Sequence, residues 1–153
     1  MTHEELEILM QEDVRRAIEE NIDRDPLRIA LDRKLPHAAA VASEVKYLQR
    51  ARKKLPSYFA ARCIIPQRAF EQPSSEETAA HKQGKGARCP DLTCGLGVDS
   101  FYLSKRFERV VTIERDEVLA EIARENFRRL GATNIEVRCA SAEEVVATID
   151  EQF

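Results

Sequence analysis

The chain has 153 residues, 43% of them hydrophobic and 33% charged, enough to bury one ordinary core or two small ones. Its net charge is −3, with 24 Lys plus Arg against 27 Asp plus Glu, which excludes a uniformly positive, histone-like field and leaves only local basic patches. No apolar run approaches the roughly 20 residues of a bilayer span, and the start Met1-Thr2-His3-Glu4-Glu5 is acidic where a signal peptide is basic and then apolar. No membrane partner and a cytoplasmic address are therefore expected.

From the N-terminus, Glu5 to Ile22 carries Leu6, Leu9, Met10, Val14, Ala17, Ile18 and Ile22 at the spacing of one helical face. Asp25-Pro26 reads as an N-cap followed by proline at the first helical position, and Leu35-Pro36 opens a helix running through Ala38–Lys54 that Pro56 stops. Pro66 to Ser75 reads as a connector. All five glycines, at 84, 86, 95, 97 and 131, fall after this region. The period then changes. Ala87 to Leu92 predicts a strand interrupted by Pro90, a glycine loop follows, Asp99–Arg106 predicts a helix, and Val110-Val111-Thr112-Ile113 predicts a buried strand. Asp116 to Leu130 predicts a helix closed by Gly131, and Ile135, Val137 and Cys139 predict a third strand. Ser141-x-x-Glu144 is a capping-box signature opening a helix through Ile149. The pattern is α/β: a helical module over residues 1–70, a connector over 71–83, and three βα units over 84–153.

The chemistry concentrates at Asp91-Leu92-Thr93-Cys94-Gly95-Leu96-Gly97, between a strand and a helix, where doubly wound folds bring bare backbone and a helix N-terminus to a nucleotide. Glu114 closes the second strand 19 positions beyond Gly95, where a carboxylate can accept two hydrogen bonds from a ribose. The alternative is a tight turn followed by a solvated strand-end charge. A dinucleotide loop wants a third glycine, but position 100 is Ser100, which disfavours NAD. Asp91, four positions before Gly95, suits a cationic amino group, which S-adenosylmethionine possesses and a pyrophosphate does not.

The stretch Asp91 to Asp99 resembles motif I of class I S-adenosylmethionine-dependent methyltransferases. Gln72-Pro73-Ser74-Ser75-Glu76-Glu77-Thr78-Ala79-Ala80-His81-Lys82 and Lys53-Lys54-Leu55-Pro56 are similar to segments of a bacterial group of these enzymes with a C-terminal THUMP-like domain. The resemblance implies a Rossmann-like fold in which Asp91 holds the methionine amino group and Thr93, Cys94, Gly95 and Gly97 pass their backbone under methionine and ribose. It further implies that Glu114 takes the ribose hydroxyls, that Arg115 borders the adenine and that Ser141 contacts the adenine amino group. Ser141 reads equally well as a plain helix N-cap. The resemblance also implies that 84–153 is the first half of the domain. On that reading the chain is an N-terminal fragment, inactive by itself, whose Asp/Asn-Pro-Pro-like catalytic motif lies beyond Phe153, so no catalytic residue is named. An open sheet edge in such a fragment leads to the expectation of a homo-oligomer.

From Lys46 to Arg68 there are seven basic residues, no acidic one, and the aromatics Tyr47, Tyr58 and Phe59. RNA is one candidate partner, through Lys46, Arg50, Arg52, Lys53 and Lys54, with aromatics stacking on bases. The other reading is a basic helix end with buried aromatics, compensated by the nine acids of residues 4–25. Cys63, Cys89, Cys94 and Cys139 stand singly, without C-x-x-C, and His3, His37 and His81 are isolated, so free thiols and no metal site are expected. The expected function is methyl transfer, with RNA as acceptor. The alternatives are a non-enzymatic RNA- or protein-binding module and, less favoured, a nucleotide-dependent oxidoreductase.

Overall fold

The computed structural model describes residues 1–146. Two short helices, α1 (His3–Met10) and α2 (Glu12–Glu20), replace the single helix expected over Glu5–Ile22. The break is at Gln11, whose backbone is extended at ψ 140° and ends one helix while opening the next. Thr2 and Glu5 close a reciprocal capping box on α1. The break lets Leu6 and Leu9 on one helix, and Val14, Ala17 and Ile18 on the other, all reach the core; Met10, which continuous periodicity would bury, is exposed.

Asp25 caps α3 (Pro26–Ala30) by accepting from the Leu27 N–H, with Pro26 at the first turn as expected. Helix α4 (Ala38–Lys54) buries Val41, Val45, Leu48 and Ala51 along one face. Pro56 does more than end it, because it is the first residue of α5 (Pro56–Ala60). The stretch expected as a connector is also helical in part: α6 (Gln67–Glu71) buries Ala69 and Phe70, and α7 (Glu76–Ala80), within 71–83, is capped by Ser75.

Strand β1 (Gly86–Asp91), helix α8 (Val98–Leu103), strand β2 (Phe107–Glu114), helix α9 (Glu117–Arg129), strand β3 (Ile135–Cys139) and helix α10 (Ala142–Val146) follow. The expected continuation of α10 to Ile149 lies outside the described residues. The three strands are parallel in the order β1-β2-β3, with Asp91 opposite Thr112 and Glu114 opposite Cys139. This is a partial Rossmann-like fold: the strands' C-terminal ends align, so the loops that follow them converge at one edge. Pro90 is accommodated in β1, whose other neighbour edge has no strand among the described residues.

One large apolar cluster runs through both halves, from Leu6 and Leu9 through Leu48, Tyr58 and Ile65 to Leu96, Phe101, Ile122 and Phe127, and Val111, Ile113 and Val145 form a smaller one. Where the chain between them is irregular, buried side chains satisfy its backbone. Asn126 of α9 accepts from the Ile64 N–H and donates to the Ile64 carbonyl, both at 2.8 Å, and Glu44 of α4 accepts from the Ile65 N–H at 3.0 Å. No helix among the described residues is long and apolar enough to cross a membrane.

Candidate functional site

Asp91, the last residue of β1, builds the glycine loop. One carboxylate oxygen accepts from the Thr93 N–H at 3.2 Å and the other from the Ser100 hydroxyl at 2.5 Å. The Cys94 N–H continues the parallel pairing to the Ile113 carbonyl at 2.8 Å, and the Gly97 N–H closes the turn on the Cys94 carbonyl at 2.8 Å. Cys94 is 6% exposed and packs in the core. Burial pushes its thiol up to about 12.

The two loop glycines have different roles. Gly97 has φ +81°, and a Cβ there would lie 2.5 Å from the Phe127 ring, so this glycine permits α9 to approach the loop. Gly95 has φ +52° with open space around it. Its N–H donates to Glu114 at 3.0 Å, and the second Glu114 oxygen accepts from the Asp116 N–H at 3.0 Å. Glu114 therefore ties the loop after β1 to the turn after β2. Each of its oxygens keeps a lone pair for a further donor.

These loops border a cleft of about 640 Å³. Thr93, Cys94, Gly95, Glu114, Arg115 and Ser141 line it, whereas Asp91 and Gly97 stand behind the loop and do not. Gly97 serves the Phe127 contact and Asp91 the loop's own hydrogen bonds. Ser141 is the N-cap of α10: its hydroxyl accepts from the Glu144 N–H at 3.2 Å while Glu144 accepts from the Ser141 N–H at 2.9 Å. Those hydrogen bonds hold the Glu144 carboxyl below its usual range.

The helical half supplies the opposite wall through Arg68, Gln72, Pro73 and Ser74. The Gln72–Lys82 segment is visible in sequence as a motif, but only the tertiary contacts place it against the loop. Its Glu76 is 4% exposed and sits at the start of α5, accepting from the Ser57 N–H at 2.8 Å, the Ser57 hydroxyl at 2.7 Å and the Tyr58 N–H at 3.3 Å. The Tyr102 hydroxyl of α8 donates to the same carboxylate at 2.7 Å. Further along, Lys82 pairs with Asp99 at 2.6 Å. Asp99 also lines the cleft, and its other oxygen is buried without a hydrogen-bond partner among the described residues.

Three of the seven cations of the basic stretch are paired with carboxylates among the described residues. Arg50 pairs with Glu71, Arg52 with Asp23, and Arg62 with Glu19, two of the three acids coming from residues 4–25. Tyr47 and Tyr58 are buried at 3% and 0% exposure, and Phe59 lies between the guanidinium groups of Arg52 and Arg62. Base stacking on either tyrosine is thereby closed off. Lys46 and Lys53 remain exposed, and Lys54 donates to the Phe70 carbonyl at 3.3 Å.

Residues 90–153 match the family model described as a methyltransferase domain. A crystal structure of a candidate methyltransferase from Porphyromonas gingivalis W83 superposes with a TM-score of 0.78 at 30% identity, covering 97% of this chain and 39% of that one. A 53-residue stretch is 47% identical to the 23S rRNA (uracil(1939)-C(5))-methyltransferase RlmD of Xylella fastidiosa (strain 9a5c), covering 35% of this chain and 12% of that protein. The chain thus spans well under half the length of both relatives.

Proposed function

We infer that the cleft binds S-adenosylmethionine and that the chain is part of a longer cytoplasmic class I methyltransferase acting on RNA. The observation that carries this reading is Glu114 at the end of β2, held by the Gly95 N–H and facing the cleft at the edge where the strand ends converge. Its remaining lone pairs suit a ribose diol, the open backbone at Gly95 leaves room for the ligand, and Ser141 stands at the end of the third strand, on the far side of Glu114 from the glycine loop. When bound, the cofactor supplies a methyl group on a sulfonium centre. This chain's part is to hold the nucleoside and its amino-acid tail in line with the acceptor.

Two observations support the finer points. All four thiols are free, which fits a reducing compartment. The local likeness to an rRNA methyltransferase favours RNA, and Lys46, Lys53 and Lys54, the lysines of the basic stretch, have no carboxylate partner among the described residues. If these three contact phosphates, RNA affinity falls with salt, and the slope drops by about one unit for each lysine replaced by alanine. An unchanged slope in the triple variant removes the RNA assignment from this surface. For the cofactor, titration with S-adenosylhomocysteine should show binding that Glu114→Ala weakens by at least about tenfold.

A further inference from the structure

Arg68 is the cleft-lining cation contributed by the helical half. It is exposed and, among the described residues, makes no hydrogen bond, ion pair or ring contact. This contrasts with the other arginines of the basic stretch, Arg50, Arg52 and Arg62, each of which holds a carboxylate. A guanidinium left unpaired on the wall of a concave site is available to a ligand anion.

Its position decides which part of a ligand it meets. Gln72, Pro73 and Ser74 share its wall and lead directly into α7, whose Glu76 binds Tyr102 of α8. Lys82, just after α7, binds Asp99 at the start of α8. The wall is thus fastened to the β1–α8 side of the cleft. Arg115, the other basic residue of the lining, follows Glu114 on β2. A nucleoside whose ribose engages Glu114 and whose base lies toward Ser141 extends its remaining substituent toward β1 and α8. In an S-adenosyl ligand that substituent is an α-amino acid, with one carboxylate and one ammonium group.

We propose that Arg68 binds the carboxylate of the ligand's amino-acid tail, which makes the helical half a working wall of the cofactor site and Arg68 its specificity residue for tailed over tail-less adenosines. This rests on the cofactor reading above. The test is an equilibrium titration, followed by NMR at ligand concentrations up to millimolar. It compares S-adenosylhomocysteine, its decarboxylated analogue and 5′-methylthioadenosine on the wild-type chain, Arg68→Ala, Arg68→Lys and Glu114→Ala. The expected result is that wild type prefers S-adenosylhomocysteine over the decarboxylated analogue by about 10- to 100-fold. Arg68→Ala should erase that preference without weakening the carboxylate-free ligands, and Arg68→Lys should keep part of it. Thermal melting of Arg68→Ala should be nearly unchanged, since no hydrogen bond, ion pair or ring contact among the described residues is lost. If S-adenosylhomocysteine binds and Glu114→Ala weakens it while Arg68→Ala does not, the cofactor site stands and the assignment of Arg68 is overturned. Equal loss for all three ligands in Arg68→Ala would also overturn it, as would absence of any nucleoside binding to wild type.

Discussion

Tyr58 donates its phenolic hydrogen to the Leu96 carbonyl at 3.1 Å, joining the helical half to the glycine loop inside one core. The same tyrosine's N–H is held by Glu76, whose carboxylate gathers donors from α5 and from Tyr102 of α8. The Ser-Ser-Glu segment therefore acts on the loop from behind. Glu76→Ala leaves buried donors without an acceptor and should cost about 3 kcal/mol in urea unfolding. Glu76→Gln keeps one oxygen for the two N–H groups, while its amide can donate to the Ser57 and Tyr102 hydroxyls, so it should cost about 1 kcal/mol. Equal losses in the two variants would show that the segment contributes packing alone.

The two loop glycines should respond differently to the same change. Gly97→Ala combines a left-handed backbone with a Cβ at 2.5 Å from Phe127, a ring only 3% exposed. It should destabilise by about 2–4 kcal/mol, with partial recovery in Gly97→Ala/Phe127→Leu. Gly95→Ala meets no atom within 4 Å and should cost only about 1 kcal/mol, with its larger effect on nucleoside affinity. Calorimetric melting of the three variants decides whether Phe127 is what Gly97 accommodates.

Glu44 gives the protein a defined pH dependence. Burial raises its carboxyl from 4.5 to about 7, opposed by the Ile65 N–H and by Arg129. Between those values the folded chain holds a proton that the unfolded chain releases, so this group's stabilisation is full below pH 4.5 and is lost as pH rises through about 7. Glu44→Gln keeps the acceptor for Ile65 and removes the buried charge. It should be more stable than wild type by about 2–3 kcal/mol at pH 8 and nearly equal to it at pH 4.5. A difference independent of pH would contradict a buried, titrating Glu44.

Much of this architecture is legible in the sequence because local rules carry it. The Asp25-Pro26 start, the helix ending at Gly131, the β-branched run at Val110–Ile113 and the Ser141/Glu144 box all depend on neighbours within a few positions, and all appear in the structure. The same locality explains the differences. Periodicity reads straight through Gln11 because an apolar face looks alike on one helix or two, and α6 and α7 are too short for periodicity to register. The site divides in the same way. Glu114 and the loop are placed by strand order alone, whereas Arg68 and Gln72 reach the cleft only through contacts such as Glu76–Ser57 that join residues distant in sequence. The stacking role offered to Tyr47 and Tyr58 fails for a related reason: composition marks an aromatic in a basic stretch, but burial is decided by tertiary packing.

Competitive titration of the chain with S-adenosylhomocysteine and NAD distinguishes the S-adenosyl nucleoside proposed for this cleft from a dinucleotide. S-adenosylhomocysteine should bind more tightly than NAD and perturb the amide signals of Gly95 and Arg115, and Glu114→Ala should weaken its binding by at least about tenfold. Tighter binding of NAD, or unchanged affinity for S-adenosylhomocysteine in Glu114→Ala, would contradict the proposal.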